Sequence, residues 1–164
     1  MPKDISIEQL IETIKGKVPQ SGLIASVLSA AMGAALAMKI LEALKHPNAK
    51  VLASACSTLQ GIGKHANKEL AVTDIIPLAK ACLISLETIE QAMRTAPTAL
   101  RSELLVGAMC TWTGLEGTLA MAESKLRLTE NRDSNRLLEE LASLRMAGKK
   151  SGKATEALAK EKGK

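Results

Sequence analysis

The 164-residue chain is 46% hydrophobic and 24% charged, with a net charge of +5. That composition suits one globular domain and excludes both a disordered chain and two full-sized domains. There is no Phe, no Tyr and a single Trp, so the core must be built from Leu, Ile, Val, Ala and Met. Such side chains bury less area per residue than aromatic ones, and self-association, as a homodimer or larger, is the expected remedy.

In chain order, Ile5, Leu10, Ile11 and Ile14 recur at helical spacing over Asp4 to Gly16 and predict a short amphipathic helix. After a turn containing Pro19, the run from Gln20 to Leu44 is the longest apolar stretch and consists mostly of Ala, Gly, Ser and Leu. Good helix formers with Ser21 or Gly22 as cap predict one long helix, apolar on nearly every face and therefore buried at the centre of the fold. About nineteen of its residues carry no charge, close to what crosses a bilayer. Small residues contribute little transfer free energy and no aromatic belt flanks the run, so a membrane is not the expected partner. Asp4, Glu8 and Glu12 stand where a secretory signal would be basic.

His46-Pro47 ends that helix. A third helix is predicted from Asn48 to Lys68, interrupted by Gly61 and Gly63, and a fourth from Thr73 to Thr95, with Pro77 tolerable in its first turn. The fifth runs from Thr98 for about thirty residues and contains Gly107, Gly114 and Gly117. Each interior glycine costs about 1 kcal/mol, and the expected compensation is close packing against the Ala/Gly face of the central helix. A last helix is predicted from Asn131 to Ala147, with Leu137, Leu138, Leu141 and Leu144 inward. The fold class expected is all-α, an antiparallel helical bundle around a buried Ala/Gly-rich helix.

Residues from Lys149 onward carry four of the five net positive charges. The organisation expected is a helical domain over 1–148 and a Lys-rich flexible tail over 149–164. Without aromatics for base stacking, nucleic acid is not an expected partner. Cys56, Cys82 and Cys110 are widely spaced in apolar contexts without a CxxC pair, which predicts reduced buried thiols and a cytoplasmic protein. Only His46 and His65 could join them in a zinc site, and no metal is expected.

No GxSxG, P-loop or HExxH motif is present. Three stretches nevertheless occur together: VPQSGLIASVLSAAMGAALAM with Gly33 to Leu36 as GAAL, VTDIIPLAKAC over 72–82, and LRSELLVGAMCTWTGLEG over 100–117. In this order they resemble the formiminotransferase-cyclodeaminase and methenyltetrahydrofolate cyclohydrolase family. The resemblance implies an all-α, dimeric or larger protein that acts on one-carbon tetrahydrofolate, expelling ammonia from the formimino form or opening the methenyl ring with water. A tetrahydrofolate derivative would then be the substrate, with no covalently bound cofactor. By the same resemblance Ser21, Gly22, Arg101 and Ser102 would bind substrate, and Glu103 or His65 would carry the proton. The chain departs from the family in having Ser21, Gly22 and Leu23 for three adjacent glycines. It also has Lys64 and His65 where carboxylates would stand, and Met121 and Lys125 for an Asn pair. The alternative reading is a non-catalytic helical homo-oligomer or binding module that keeps the family fold.

Overall fold

The computed structural model describes residues 21–62, 69–128 and 133–161. The helix expected at Asp4 to Gly16 lies outside them, as do Gly63 and His65. Five helices are described, α1 (Ser21–Ala43), α2 (Ala49–Gln60), α3 (Val72–Thr95), α4 (Thr98–Leu128) and α5 (Ser134–Lys160), and no strand is found among the described residues. The protein is an all-α bundle.

The most extensive contact joins α1 to α4, and it is made by small residues. A Cβ added at Gly114 would lie 2.5 Å from the carbonyl oxygen of Ser26 and 2.6 Å from Ala30 Cβ, and one at Gly107 would lie 2.9 Å from the carbonyl oxygen of Gly33. Gly33 in turn abuts Gly107, Cys110 and Thr111, and Gly117 abuts Ser26. Contacts at 33 with 107 and at 26 with 114 and 117 define an antiparallel pair. The residues involved on α1, 26, 30, 33 and 37, follow a heptad spacing that keeps one stripe facing its partner. The packing expected of the α4 glycines against the Ala/Gly helix is therefore present.

Polar atoms in this contact are satisfied locally. The Ser29 hydroxyl donates across the helices to the Cys110 carbonyl at 3.0 Å. Buried Thr111 and Thr118 donate back to the carbonyls of Gly107 and Gly114 at 2.8 and 2.7 Å. Hydroxyls bonded to the carbonyl one turn earlier keep their own donors paired inside this contact.

Larger side chains collect on either side of this waist. Leu23, Val27, Leu59, Ile75, Leu115 and Leu141 belong to one apolar cluster, and Leu41, Leu52, Leu86, Ile89, Met93 and Leu104 to another. Cys82 is fully buried, and desolvation pushes its thiol up to about 12 despite a hydrogen bond with Thr118. Cys56 is raised by the same cause. Both thiols are un-ionised at neutral pH, as buried structural cysteines are.

Local signals account for most helix ends. At the end of α1, Lys45 takes φ 52°, and the N–H groups of Lys45 and His46 donate to the carbonyls of Glu42 and Leu41 at 3.0 and 2.8 Å. This is a Schellman closure with lysine in the place glycine usually fills. His46 Nδ1 accepts from the Asn48 N–H at 3.2 Å, which leaves Nε2 to donate to the Thr95 hydroxyl at 3.3 Å. At the start of α3, Asp74 accepts from the Ala71 N–H at 3.2 Å. Pro77 falls in the second turn of α3, not the first, and is exposed. The carbonyl of Thr73, which loses its intrahelical donor there, is on an exposed residue that water can reach.

The last helix corrects the sequence reading. In place of a stop at Ala147 and a flexible Lys-rich tail, α5 continues to Lys160. Gly148, Ser151, Gly152 and Thr155 are its buried residues over that half, spaced to form one inward stripe. A Cβ at Gly152 would lie 2.5 Å from Trp112 Cε3, and one at Gly148 2.5 Å from Leu115 Cδ2. The lysines 149, 150, 153 and 160 are exposed. Small residues give no hydropathy signal, so the segment reads as a charged tail although its docking face is complete.

Gly33→Leu should cost about 3 kcal/mol or more by forcing α1 off α4. Gly61→Ala should be neutral or stabilising by up to about 1 kcal/mol, since nothing lies within 4 Å of its Cβ position. Urea unfolding followed by far-ultraviolet circular dichroism measures both.

Candidate functional site

The residues nominated by sequence resemblance fall into two groups at opposite ends of the α1–α4 pair. Ser21 and Gly22 open α1, where Gly22 faces Met121 near the end of α4. Arg101, Ser102 and Glu103 lie in the first turns of α4, beside the far end of α1. Along α4, Arg101 and Met121 are separated by roughly 30 Å at 1.5 Å per residue. One copy of the chain therefore does not bring these groups together. His65 lies outside the described residues.

Each group has a clear local environment. Gly22 is exposed, Ser21 is half-buried, and the carbonyl of Gly22 accepts from the Ser26 hydroxyl at 2.8 Å. No acidic residue occupies the first turn of α1, which leaves its amide dipole free to favour an anion. Leu23, where the family has glycine, is fully buried in the core. Arg101 is only 15% exposed. Its guanidinium donates to the carbonyls of Ala96 and Leu158 at 3.3 and 3.2 Å and lies 3.6 Å from the Glu161 carboxylate. It thus ties the end of α5 to the start of α4. Ser102 and Glu103 are exposed.

A second arrangement gave no signal in the sequence analysis. Trp112, Glu116 and Glu123 lie on one face of α4, at steps of four and seven residues, and Arg145 reaches them from α5. Arg145 Nε donates to Glu116 Oε2 at 3.0 Å, and Nη1 bonds Glu123 Oε1. Burial lowers the pKa of the guanidinium, but the hydrogen bonds and charges of Glu123 and Glu116 more than offset this and hold it above the ordinary arginine value. Trp112, Glu116 and Arg145 border an open cleft of about 590 Å³ whose lining also includes Ser26, Thr113, Gly117 and Ala120, and Glu123 stands behind Arg145. Trp112 Nε1 and Glu116 Oε1 are buried without a hydrogen-bond partner among the described residues. The α4 spacing was visible in the sequence, but the cation that completes the cluster is some twenty residues away on another helix.

The third feature is a surface. Since Ser29 bonds the Cys110 carbonyl and Gly33 abuts Gly107 and Cys110, the outward side chains of Met32 and Leu36 fall beside those of Val106 and Met109. They are 67%, 37%, 52% and 54% exposed. The central helix is thus open along one face, not enclosed all round as its composition suggested. Both α1 and α4 are long and apolar enough to cross a membrane by length and composition alone. No group of three or more His, Cys, Asp and Glu side chains is placed to hold a metal ion among the described residues.

Compared with models of known protein families and with characterised proteins, the sequence matches none.

Arg101→Ala should release the end of α5 and cost about 1–3 kcal/mol, because the Leu158 carbonyl and the Glu161 carboxylate lose their donor. Hydrogen exchange should then rise over residues 155–160 and stay unchanged in α1 and α2, a pattern that mass spectrometry resolves.

Proposed function

We propose that the chain works as a self-associating helical protein, two copies meeting across the outward face of α1 and α4. The observation that carries this is the uncharged patch of Met32, Leu36, Val106 and Met109, four large apolar side chains exposed together on one face. Exposed apolar patches rimmed by polar residues mark interaction surfaces. Lipid is the less favoured occupant, because Ser29, Cys110 and Thr113 on the same face add little to transfer into a bilayer. The reading takes the protein to be cytoplasmic.

The cyclodeaminase/cyclohydrolase reading is favoured by one consequence of such pairing. A two-fold axis through the level of Gly33 and Gly107 runs the α1–α4 pairs of the two copies in opposite directions. Ser21 and Gly22 of one copy then lie about 8–12 Å, measured along the helices, from Arg101 to Glu103 of the other. A one-carbon tetrahydrofolate would be held at that junction, its carboxylates toward the α1 amides and Glu103 as the carboxylate available for proton transfer. In this form the protein would bind or convert methenyl- or formimino-tetrahydrofolate.

Light scattering during size exclusion should give twice the chain mass or more for the wild type, and the single-chain mass for Met32→Glu/Met109→Glu with its helical spectrum retained. A wild type that stays at single-chain mass at high concentration ends the proposal. For the folate reading, decay of the near-ultraviolet band of methenyl-tetrahydrofolate should be faster with wild type than with Glu103→Ala or the double variant. Equal rates, with no thermal shift on adding the folate, would leave self-association alone.

A further inference from the structure

We infer that the cleft between α4 and α5 binds a small primary amine, as its ammonium ion, that also carries a hydrogen-bond acceptor such as a hydroxyl. The inference rests on neither the folate reading nor self-association. Two charged side chains line the cleft, Glu116 and Arg145, and Glu123 pairs with Arg145 from outside the lining, so that two carboxylates stand against one guanidinium and leave one negative charge in excess. That excess favours a cation and opposes an anion.

The unpaired atoms specify the rest. Glu116 Oε1 has no donor, and Trp112 Nε1 has no acceptor. Each buried unpaired group costs about 1–3 kcal/mol, and one ligand with an ammonium at one end and a hydroxyl oxygen at the other answers both. Glu116 uses its second oxygen on Arg145, and Arg145 keeps its bond to Glu123 when Glu116 turns to meet the amine. The indole ring supplies an apolar, electron-rich wall for the cation. Gly117 and Ala120 keep the floor shallow, so a ligand can approach the α4 backbone. The cleft is shallow and open to solvent, so a ligand held at its charged end stays partly exposed. Both unpaired atoms are shielded from water, so entry of the amine requires rotation of the Glu116 side chain, which is 36% exposed.

Trp112 is the only tryptophan, so the full-length ¹⁵N-labelled protein gives a single indole N–H cross-peak that reports on this cleft directly. Titration with ethanolamine hydrochloride should move that peak downfield to saturation, while sodium chloride and sodium acetate at matched ionic strength should leave it in place. Glu116→Gln should weaken the response by about tenfold or more. Because that change also touches the Arg145 pair, Ala120→Leu serves as a second variant, filling the exposed floor of the cleft while leaving the three charges intact, and should abolish saturation. An unmoved peak, a shift equal to that produced by sodium chloride, or an unchanged midpoint in both variants would overturn the inference.

Discussion

The structure depends on how closely the backbones of α1 and α4 approach. Gly33, Gly107, Gly114 and Gly117 each stand where a methyl group would collide with the opposing helix. Without aromatic side chains to fill space, stability comes from dispersion between two backbones in contact along several turns, which is individually weak and collectively large. Interior glycines lower the intrinsic helix preference of α4, and packing is what offsets that loss. The two apolar clusters flanking this waist depend on it for their spacing, since residues of α1 and α4 contribute to both.

Close approach also sets what the surface can do. Two helices pressed together present a broad, shallow outer face, and that face displays Met32 and Met109 rather than charges. The same antiparallel order sends the start of α1 and the start of α4 to opposite ends of the molecule. A ligand site built from both starts is then a property of two chains, while the cleft at Trp112 is complete within one.

How much was legible follows from how each element announces itself. Helices α1, α3 and α4 could be placed within a few residues, in α3 from Ile76, Leu83, Leu86 and Ile89 at helical spacing, whereas α2, expected to reach Lys68, ends at Gln60 ahead of Gly61. The role of Gly107 and Gly114 could be read because glycines seven apart in a helix need a packing reason. The second half of α5 could not: Gly148, Ser151, Gly152 and Thr155 bury little apolar area, and the lysines between them dominate any hydropathy average. Arg101 was read as a ligand contact from resemblance, whereas its bonds to Ala96, Leu158 and Glu161 depend on the return of α5 to the start of α4, which no local pattern encodes. The Glu116–Arg145–Glu123 cluster was hidden for the same reason.

The manner in which α5 is fastened has a bearing on how the protein comes apart. Its first half is seated by Leu137 and Leu141, whereas its second half is held by glycine contacts and polar ties, among them Ser151 to Glu90 at 2.7 Å. Charge-based ties loosen as electrolyte is added and greasy ones do not. The rear section of this helix therefore gives up part of its hold in concentrated salt while Leu158 and Ala159 stay packed against the core, and Lys149, Lys150 and Lys153, all exposed, are the places where a lysine-specific protease can reach it.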